Sequence, residues 1–297
     1  MFKTTLLIGI LGLFNAWLPT GHFITALIAQ IELQNEDLEL FKKLENIINV
    51  LSPFTAEKNY KFIECAEFPD DIKYQNWKSF NSWHFYNHYF FNNVEPRDMP
   101  DDKENLVWAI VNALVNLNTN RPSKIDQMLG KSFNLRYLIH LIGDIHQPLH
   151  NVSMVSKEFP KGDSGGNKFK INMPGAYDLH KFWDLCLKQF KQVRSPLKET
   201  DFDYLLNITK YIMKENTRES LQEELKEKSY KKWSLKGFDL AQKIVYDGIQ
   251  PNSEPSKTYI DRGFKIIKRQ LALAGYRLTN VLKSLRLPDV NVKTMKE

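Results

Sequence analysis

The sequence predicts an all-α fold, arranged as a single compact domain of many helices. Apolar residues recur at helical spacing through most of the chain after its first twenty residues. The sequence contains no internal repeat and no linker rich in Pro, Gly or Ser that would divide it into smaller units. With 297 residues, 42% of them hydrophobic, the chain is long enough to bury one large core.

Helices are predicted wherever the helical spacing of apolar residues persists. Pro69 is expected to end the third helix and Ser256 to cap the last, because proline breaks a helix and a serine hydroxyl accepts from its first amide groups. The predicted helices cover His22–Glu32, Glu36–Leu51, about Ala56–Glu67, Glu104–Asn118, about Ser132–His146, Leu179–Phe190, Asp201–Lys214, Trp233–Ile249 and Ser256–Leu285.

Two segments depart from this spacing. Ser79–Pro96 is rich in aromatic residues and asparagine, and we predict an irregular or extended conformation for it. Lys157–Pro174 contains three glycines and two prolines, which predicts a loop at about 157–174, with a short hairpin at Lys168–Asn172.

Residues 1–16 have the pattern of a secretory signal peptide. Lys3 supplies the positive start, the apolar run Thr5–Phe14 is too short to span a bilayer, and Ala16 is a small residue before the cut. The alternative is an uncleaved anchor. We therefore expect a mature domain at 17–297, exported to the outside or to the lumen of a lytic compartment, with no membrane anchor after cleavage.

Export bears on the two cysteines and on glycosylation. In an oxidising compartment Cys65 and Cys186 most simply form one disulfide, and two inert buried thiols are the alternative. Asn151 and Asn207 each begin an Asn-x-Ser/Thr acceptor triplet. Asn151, however, lies close to the metal-ligating residues considered next.

Histidines and aspartates recur in a pattern that suits a metal. His140 and Asp144 are four residues apart and therefore share one face of an apolar helix, which Pro148 ends just before His150. The same spacing returns at His180 and Asp184. Asp70, His84 and His22 supply further donors elsewhere in the chain. A single such pair is more often a satisfied core pair, but this many nitrogen and carboxylate donors favour a zinc site.

The motifs around these donors resemble the single-strand-specific zinc nucleases of the S1/P1 type, with their protist 3′-nucleotidase/nuclease branch. The resemblance covers essentially the whole mature chain. The most specific string is Gly-Asp-x-His-Gln-Pro-Leu-His, which ends at His150, followed by Leu-His-x-x-Trp-Asp. The matching segments are Trp17–His22, Ala66–Lys73, Trp83–Asn87, Leu138–His150, Gly162–Asn167, Asp178–Asp184 and Ala274–Leu278.

The resemblance implies a fold of the phospholipase C/zinc nuclease type and a cluster of three Zn²⁺ ions. One ion is expected on Asp70, His84, His140 and Asp144, and a second on His150, His180 and Asp184. The third is expected on His22, on Asp144 as a bridge, and on the α-amino nitrogen and carbonyl oxygen of Trp17. Because an α-amine ligates only at a true N-terminus, signal cleavage after Ala16 would complete this site.

The resemblance also implies the reaction. Zinc-activated hydroxide would attack phosphorus and release 5′-phosphates, with Asp144 and Asp70 at the catalytic centre as ligands rather than as acid/base groups. Phe85 is expected to stack on a base, Asn87 stands where fungal members carry an Asp that binds the base, and Lys73 is placed to meet phosphate. An ordinary core phenylalanine and a solvated lysine are the alternatives.

The substrates expected from the resemblance are single-stranded DNA and RNA, together with 3′-mononucleotides. The excess of 41 Lys+Arg over 35 Asp+Glu suits a polyanionic substrate, although a merely basic surface gives the same balance. A monomer without a stable protein partner is expected. Two alternatives remain: a zinc phospholipase C acting on phosphocholine lipids, and a secreted protein that binds nucleic acid without cleaving it.

Overall fold

Helices dominate the computed structural model of the chain, which describes residues 17–55, 61–74, 78–119 and 124–288. The predicted all-α fold is confirmed. The predicted leader lies outside the described residues. Within those residues the α-helices are α1 (Pro19–Glu36), α2 (Leu38–Leu51), α3 (Phe68–Tyr74), α4 (Leu106–Asn118), α5 (Lys124–Asp144), α6 (Leu179–Asp184), α7 (Glu199–Glu215), α8 (Gln222–Lys226), α9 (Tyr230–Leu240) and α10 (Lys257–Lys283).

Helix α1 lies at the centre of the molecule and is buried on most sides. Its residues Ile24 and Leu27 belong to a core formed with α6, α7 and α10, whereas Ala26 and Leu33 belong to a second core formed with α2, α4 and α5. The approach of α10 to α1 requires glycine at position 275, since an added Cβ there would lie 2.5 Å from Ile28 Cβ. A helix surrounded in this way carries no polar stripe, which is why the apolar residues of α1 run around it.

Several predicted helix boundaries are wrong for identifiable reasons. Pro69 does not end a helix but lies in the first turn of α3, where its missing N–H costs nothing. In the described part of the predicted helix Ala56–Glu67, only a 3₁₀ turn at Glu64–Glu67 forms. The helix predicted to reach Phe190 stops at Asp184, because residues 186–188 adopt positive φ angles of 51°, 54° and 60°.

Other boundaries follow the sequence closely. The Ser256 hydroxyl accepts from the Tyr259 amide and caps α10, as predicted. Helix α9 passes at its end into a π-helical segment, Ala241–Val245, so the helical stretch predicted to reach Ile249 is shorter.

A two-stranded parallel sheet completes the fold. The strands β1 (His88–Phe91) and β2 (Val152–Val155) pair in the register His88↔Val152 to Phe91↔Val155. The region predicted to be irregular or extended thus contains a 3₁₀ helix, Lys78–His84, followed by β1. The hairpin predicted at Lys168–Asn172 reduces to one antiparallel bridge between Lys170 and Asp178.

His88 on β1 gives the fold a testable dependence on pH. Its Nε2 lies 2.9 Å from the Ser234 hydroxyl, and burial, reinforced by Lys231, lowers its pKa to about 4. Because the unfolded chain takes up this proton near pH 6.5, the stability that neutral His88 contributes is present above pH 6.5 and is lost as the pH falls toward 4. We expect the His88→Gln variant to lose less unfolding free energy than the parent between pH 7 and 4.5, measured by urea titration. Equal losses in the two proteins would contradict this assignment.

The predicted disulfide is wrong in this structure. Cys65 and Cys186 are free thiols, both buried. Cys65 packs in the core beside α5 and donates to the Phe62 carbonyl, whereas Cys186 packs in the other core. Two inert thiols, the alternative left open by the sequence, are what the fold contains.

The glycosylation prediction fails at Asn151, whose side chain is fully buried and donates to the Ile145 and Gln147 carbonyls. Asn207 lies at an exposed position of α7, so the same prediction stays open there. In the described ranges no helix has the length and apolar character needed to cross a bilayer.

Candidate metal centre

The end of α5 is the meeting point of the predicted ligands. His140 and Asp144 lie on α5, and His150 follows in the 3₁₀ turn Pro148–Asn151. α1 brings His22, α3 and the 3₁₀ helix Lys78–His84 bring Asp70 and His84, and α6 brings the remaining pair. Every predicted ligand is buried, with at most 6% of its surface exposed: Trp17, His22, Asp70, His84, His140, Asp144, His150, His180 and Asp184.

These side chains form three groups in which the donor atoms all lie within 4.8 Å of one another. The groups are His22, His140 and Asp144; Asp70, His84 and His140; and His150, His180 and Asp184.

Asp144 joins the groups. Its Oδ2 lies 3.0 Å from His84 Nδ1 and 3.1 Å from His140 Nε2, and its Oδ1 lies 3.4 Å from His22 Nε2. The same Oδ1 lies 3.9 Å from His150 Nδ1, in the third group. One carboxylate therefore faces donors from four parts of the chain, as the bridging role predicted for it requires.

Two of the three members of the third group, His180 and Asp184, lie on α6. His180 and Asp184 occupy one face of this helix, with Nε2 and Oδ2 3.3 Å apart, and His150 Nε2 lies 3.9 Å from Asp184 Oδ1. Gly165 permits this packing, because its φ is +62° and an added Cβ would lie 2.4 Å from the Leu149 carbonyl oxygen.

Backbone carbonyls fix the orientation of three of the histidines. The Nδ1 atoms of His140, His150 and His180 lie 2.7, 2.6 and 2.7 Å from the carbonyl oxygens of Ala66, His84 and Gly165. Since a carbonyl only accepts, Nδ1 carries the proton in each neutral ring and the lone pair is on Nε2. This is the arrangement that orients a histidine toward a metal.

Several buried atoms of the cluster are left without a hydrogen-bond partner among the described residues. They are both ring nitrogens of His22, Nε2 of His84 and Oδ1 of Asp144. Buried polar atoms are normally paired, so this cluster fits a bound cation better than a closed polar core. Imidazole nitrogens and carboxylate oxygens without thiolates are donors that suit Zn²⁺.

The ionisation of the cluster is consistent with metal binding. Burial lowers the pKa of His150 to about 3, and burial together with Lys73 lowers that of His84 to about 4. Burial opposes ionisation of Asp70, but Lys73 and the neighbouring histidines outweigh it and hold its pKa at about 2. Burial and nearby carboxylates instead raise the pKa of Asp184 well above its usual value. A cation beside Asp184 would offset the free-energy cost of ionising this buried carboxyl group.

The structure brings two of the three predicted substrate residues to one place. Phe85 and Asn87 line a cavity of about 90 Å³ beside His84, His150 and His180, and Ser164 and Gly165 of the glycine-rich loop form another wall. Lys73 is not among the residues that line this cavity. Its buried ammonium group lies 2.6 Å from Asp70 Oδ1.

Trp17 and the residue after it are hydrogen-bonded to α5 and α6, which carry four of the predicted ligands. Its buried indole donates to the Gly143 carbonyl over 3.1 Å, and the next amide, of Leu18, donates to the Asp184 carbonyl over 3.0 Å. The predicted first residue of the mature chain is therefore fixed beside both Asp144 and Asp184.

Buried polar residues outside the predicted set lie around the ligands, and Gln147 contacts one of them directly. Gln147 donates from Nε2 to Asp184 Oδ1 over 2.8 Å and accepts from the Leu149 amide. His146 is not in any of the three groups, and its Nε2 lies 2.8 Å from Nη1 of Arg277, which stacks over Trp233. Two of these residues lie in segments that match the family, Gln147 inside the most specific motif string and Arg277 in the matching C-terminal segment.

Several known nucleases are similar to this chain in sequence. Endonuclease 5 of Arabidopsis thaliana is 22% identical over 283 residues, which cover 91% of this chain and 90% of that protein. Endonuclease 3 of the same plant is 28% identical over 177 residues, and nuclease P1 of Penicillium citrinum is 25% identical over 176. These two matches cover 57% and 52% of this chain, and only about half of each relative, 53% and 58%.

The family model for S1/P1 nuclease matches residues 17–286, which is nearly the whole chain. The curated relatives are nucleases and endonucleases by name, and the helical fold of this chain carries candidate His/Asp metal groups at its centre. The chain belongs to the S1/P1 nuclease family, whose members are hydrolases acting on nucleic acids.

Proposed function

We propose that this chain is a secreted phosphodiesterase with a three-zinc centre that cleaves single-stranded DNA and RNA to 5′-phosphate products and also hydrolyses 3′-mononucleotides. The observation that carries the proposal is the set of three buried His/Asp groups joined by Asp144. The proposal includes one domain at 17–297, acting as a monomer without a membrane anchor.

The proposed ligand sets differ from the three groups in assigning His140, which belongs to two groups, to one ion and Asp144 to two ions. Asp70, His84, His140 and Asp144 would hold one ion, His150, His180 and Asp184 a second, and His22, Asp144 and the amino end of Trp17 a third. Bound zinc supplies Lewis acidity toward phosphoryl oxygens and lowers the pKa of water enough for attack at neutral pH.

The residues of the chain itself would position and orient the bound ions and the substrate. In their neutral tautomers His140, His150 and His180 have their only N–H bonded to a backbone carbonyl, so they have no proton to donate toward the cavity. None of these three histidines is therefore assigned as a general acid. Phe85, at the cavity wall, offers a ring on which a base can stack regardless of its identity, which suits a substrate of mixed sequence.

Gln147 offers a test of the second ligand set. Its amide holds Asp184 Oδ1, and loss of such an outer contact typically weakens metal binding by about 10- to 100-fold. We expect Gln147→Ala to weaken binding of one Zn²⁺ ion to this degree, measured by competition with a chromophoric chelator. The exposed Gln189→Ala serves as the matched control. Equal affinities in all three proteins would show that this amide does not support a ligand.

The proposed activity is tested on protein that begins at Trp17. Hydrolysis of single-stranded DNA, duplex DNA, a 3′-mononucleotide and phosphatidylcholine vesicles is compared, before and after chelation and after zinc is restored. The proposal predicts cleavage of the single strand and of the mononucleotide, loss of both on chelation and recovery with zinc. Cleavage of phosphatidylcholine alone would favour the phospholipase alternative, and zinc-replete protein that binds the single strand without cleaving it would favour the inactive one.

A further inference from the structure

An acidic residue contacts one of the residues that line the cavity beside the metal groups. Asn87 lines this cavity, and its Nδ2 donates to Asp102 Oδ2 over 2.9 Å. Asp102 lies fifteen residues further along the chain, before α4, and is half-buried. It was not among the residues singled out in the sequence.

The backbone holds this pair firmly in place. Phe85 accepts from the Leu106 amide over 2.9 Å, and Tyr86 donates to the His150 carbonyl over 2.8 Å. The Asp102 carbonyl accepts from the Asn105 side chain, which also caps α4. The segment carrying Asn87 is thus tied on one side to a predicted metal ligand and on the other to the segment carrying Asp102.

The chemistry of the pair fixes which atoms remain for a ligand. Only the amide NH₂ can donate to a carboxylate, so Asn87 Nδ2 faces Asp102 and Oδ1 is left as an acceptor. Neither Asn87 Oδ1 nor Asp102 Oδ1 accepts a hydrogen bond within the described residues. The pair therefore carries two acceptor oxygens, one of them charged, and its Asn87 lines the cavity together with Phe85.

We propose that Asp102, acting with Asn87, makes this site prefer bases whose pairing edge carries adjacent N–H donors, which means guanine over uracil or thymine. Guanine offers N1–H and N2–H side by side, as a pair of acceptors requires. Uracil and thymine place carbonyl oxygens on both sides of a single N–H, and one of these would face the carboxylate. The inference rests on the proposed function, because it assumes that a nucleotide occupies this cavity.

The test compares Asp102→Asn with Asp101→Asn. Asparagine at position 102 still accepts from Asn87, so it keeps the contact while removing the charge and one acceptor oxygen. Asp101 is the exposed neighbour, and its substitution makes the same change in net charge. The readout is the ratio of kcat/KM for 3′-GMP to that for 3′-UMP, together with the dissociation constants of 5′-GMP and 5′-UMP by calorimetry. Zinc content is measured in each protein.

We expect the parent and Asp101→Asn to favour guanine by about tenfold, as a bidentate base contact does, and Asp102→Asn to bring the ratio close to one with unchanged zinc. A parent without guanine preference, or equal ratios in parent and Asp102→Asn, would overturn the inference. An equal loss in both variants would assign the effect to charge at a distance and would also overturn it. Failure to hydrolyse either nucleotide would count against the proposed function, and the dissociation constants would then decide the base preference separately.

Discussion

Asp144→Asn is expected to lose nearly all hydrolysis of single-stranded DNA and two of the three zinc ions. The carboxylate faces His22, His84 and His140 and is the proposed shared ligand of two ions. An amide has the same shape but no charge, so it neither offsets the cations nor bridges them. Since metal assistance contributes several kcal/mol to such a reaction, we expect kcat to fall by about 10³-fold or more.

The measurement pairs metal analysis with initial rates on single-stranded DNA. Asp71→Asn is the matched control, because it makes the same change at the carboxylate next to Asp70 in the sequence, to which no ligand role is assigned. Thermal denaturation shows whether the variant is folded. A folded Asp144→Asn protein that keeps three zinc ions and a rate within tenfold of the parent would refute the bridging role.

The second large effect concerns the N-terminus. We expect a protein extended by two residues before Trp17 to bind one zinc ion fewer than a protein that begins at Trp17. The physical reason is that an α-amine can ligate once deprotonated, whereas the peptide nitrogen of an extended chain cannot. The fixed placement of Trp17 beside Gly143 and Asp184 supports this expectation.

Zinc content and rate are compared for the two forms, and an extended form with an engineered protease site before Trp17 provides the control. Removal of the extension should restore the missing ion and the rate. Equal zinc content before and after removal would show that the amino group is not a ligand.

The sequence predicted which His and Asp side chains lie together better than it predicted some of the helix boundaries. His140 with Asp144 and His180 with Asp184 could be placed on helix faces because their spacing is local. Bringing them together with His22, Asp70 and His84 depended on the family motifs, since contacts across the fold leave no periodic signal.

The parts that the sequence did not predict depend on tertiary context. The strands β1 and β2 are four residues each and pair across more than sixty positions of the chain, so neither shows a strand pattern of its own. The positive φ angles after Asp184 occur at Cys186, Leu187 and Lys188, where no glycine marks a helix end. Asp102 lacks a motif altogether, and only its contact with Asn87 draws attention to it.

The most direct test of the three-ion centre is the zinc stoichiometry of the purified protein beginning at Trp17, measured by elemental analysis after removal of loosely bound metal. The account predicts close to three zinc ions per chain, falling to none under strong chelation together with the loss of cleavage of single-stranded DNA. A fully active protein that carries one zinc ion or none would contradict it.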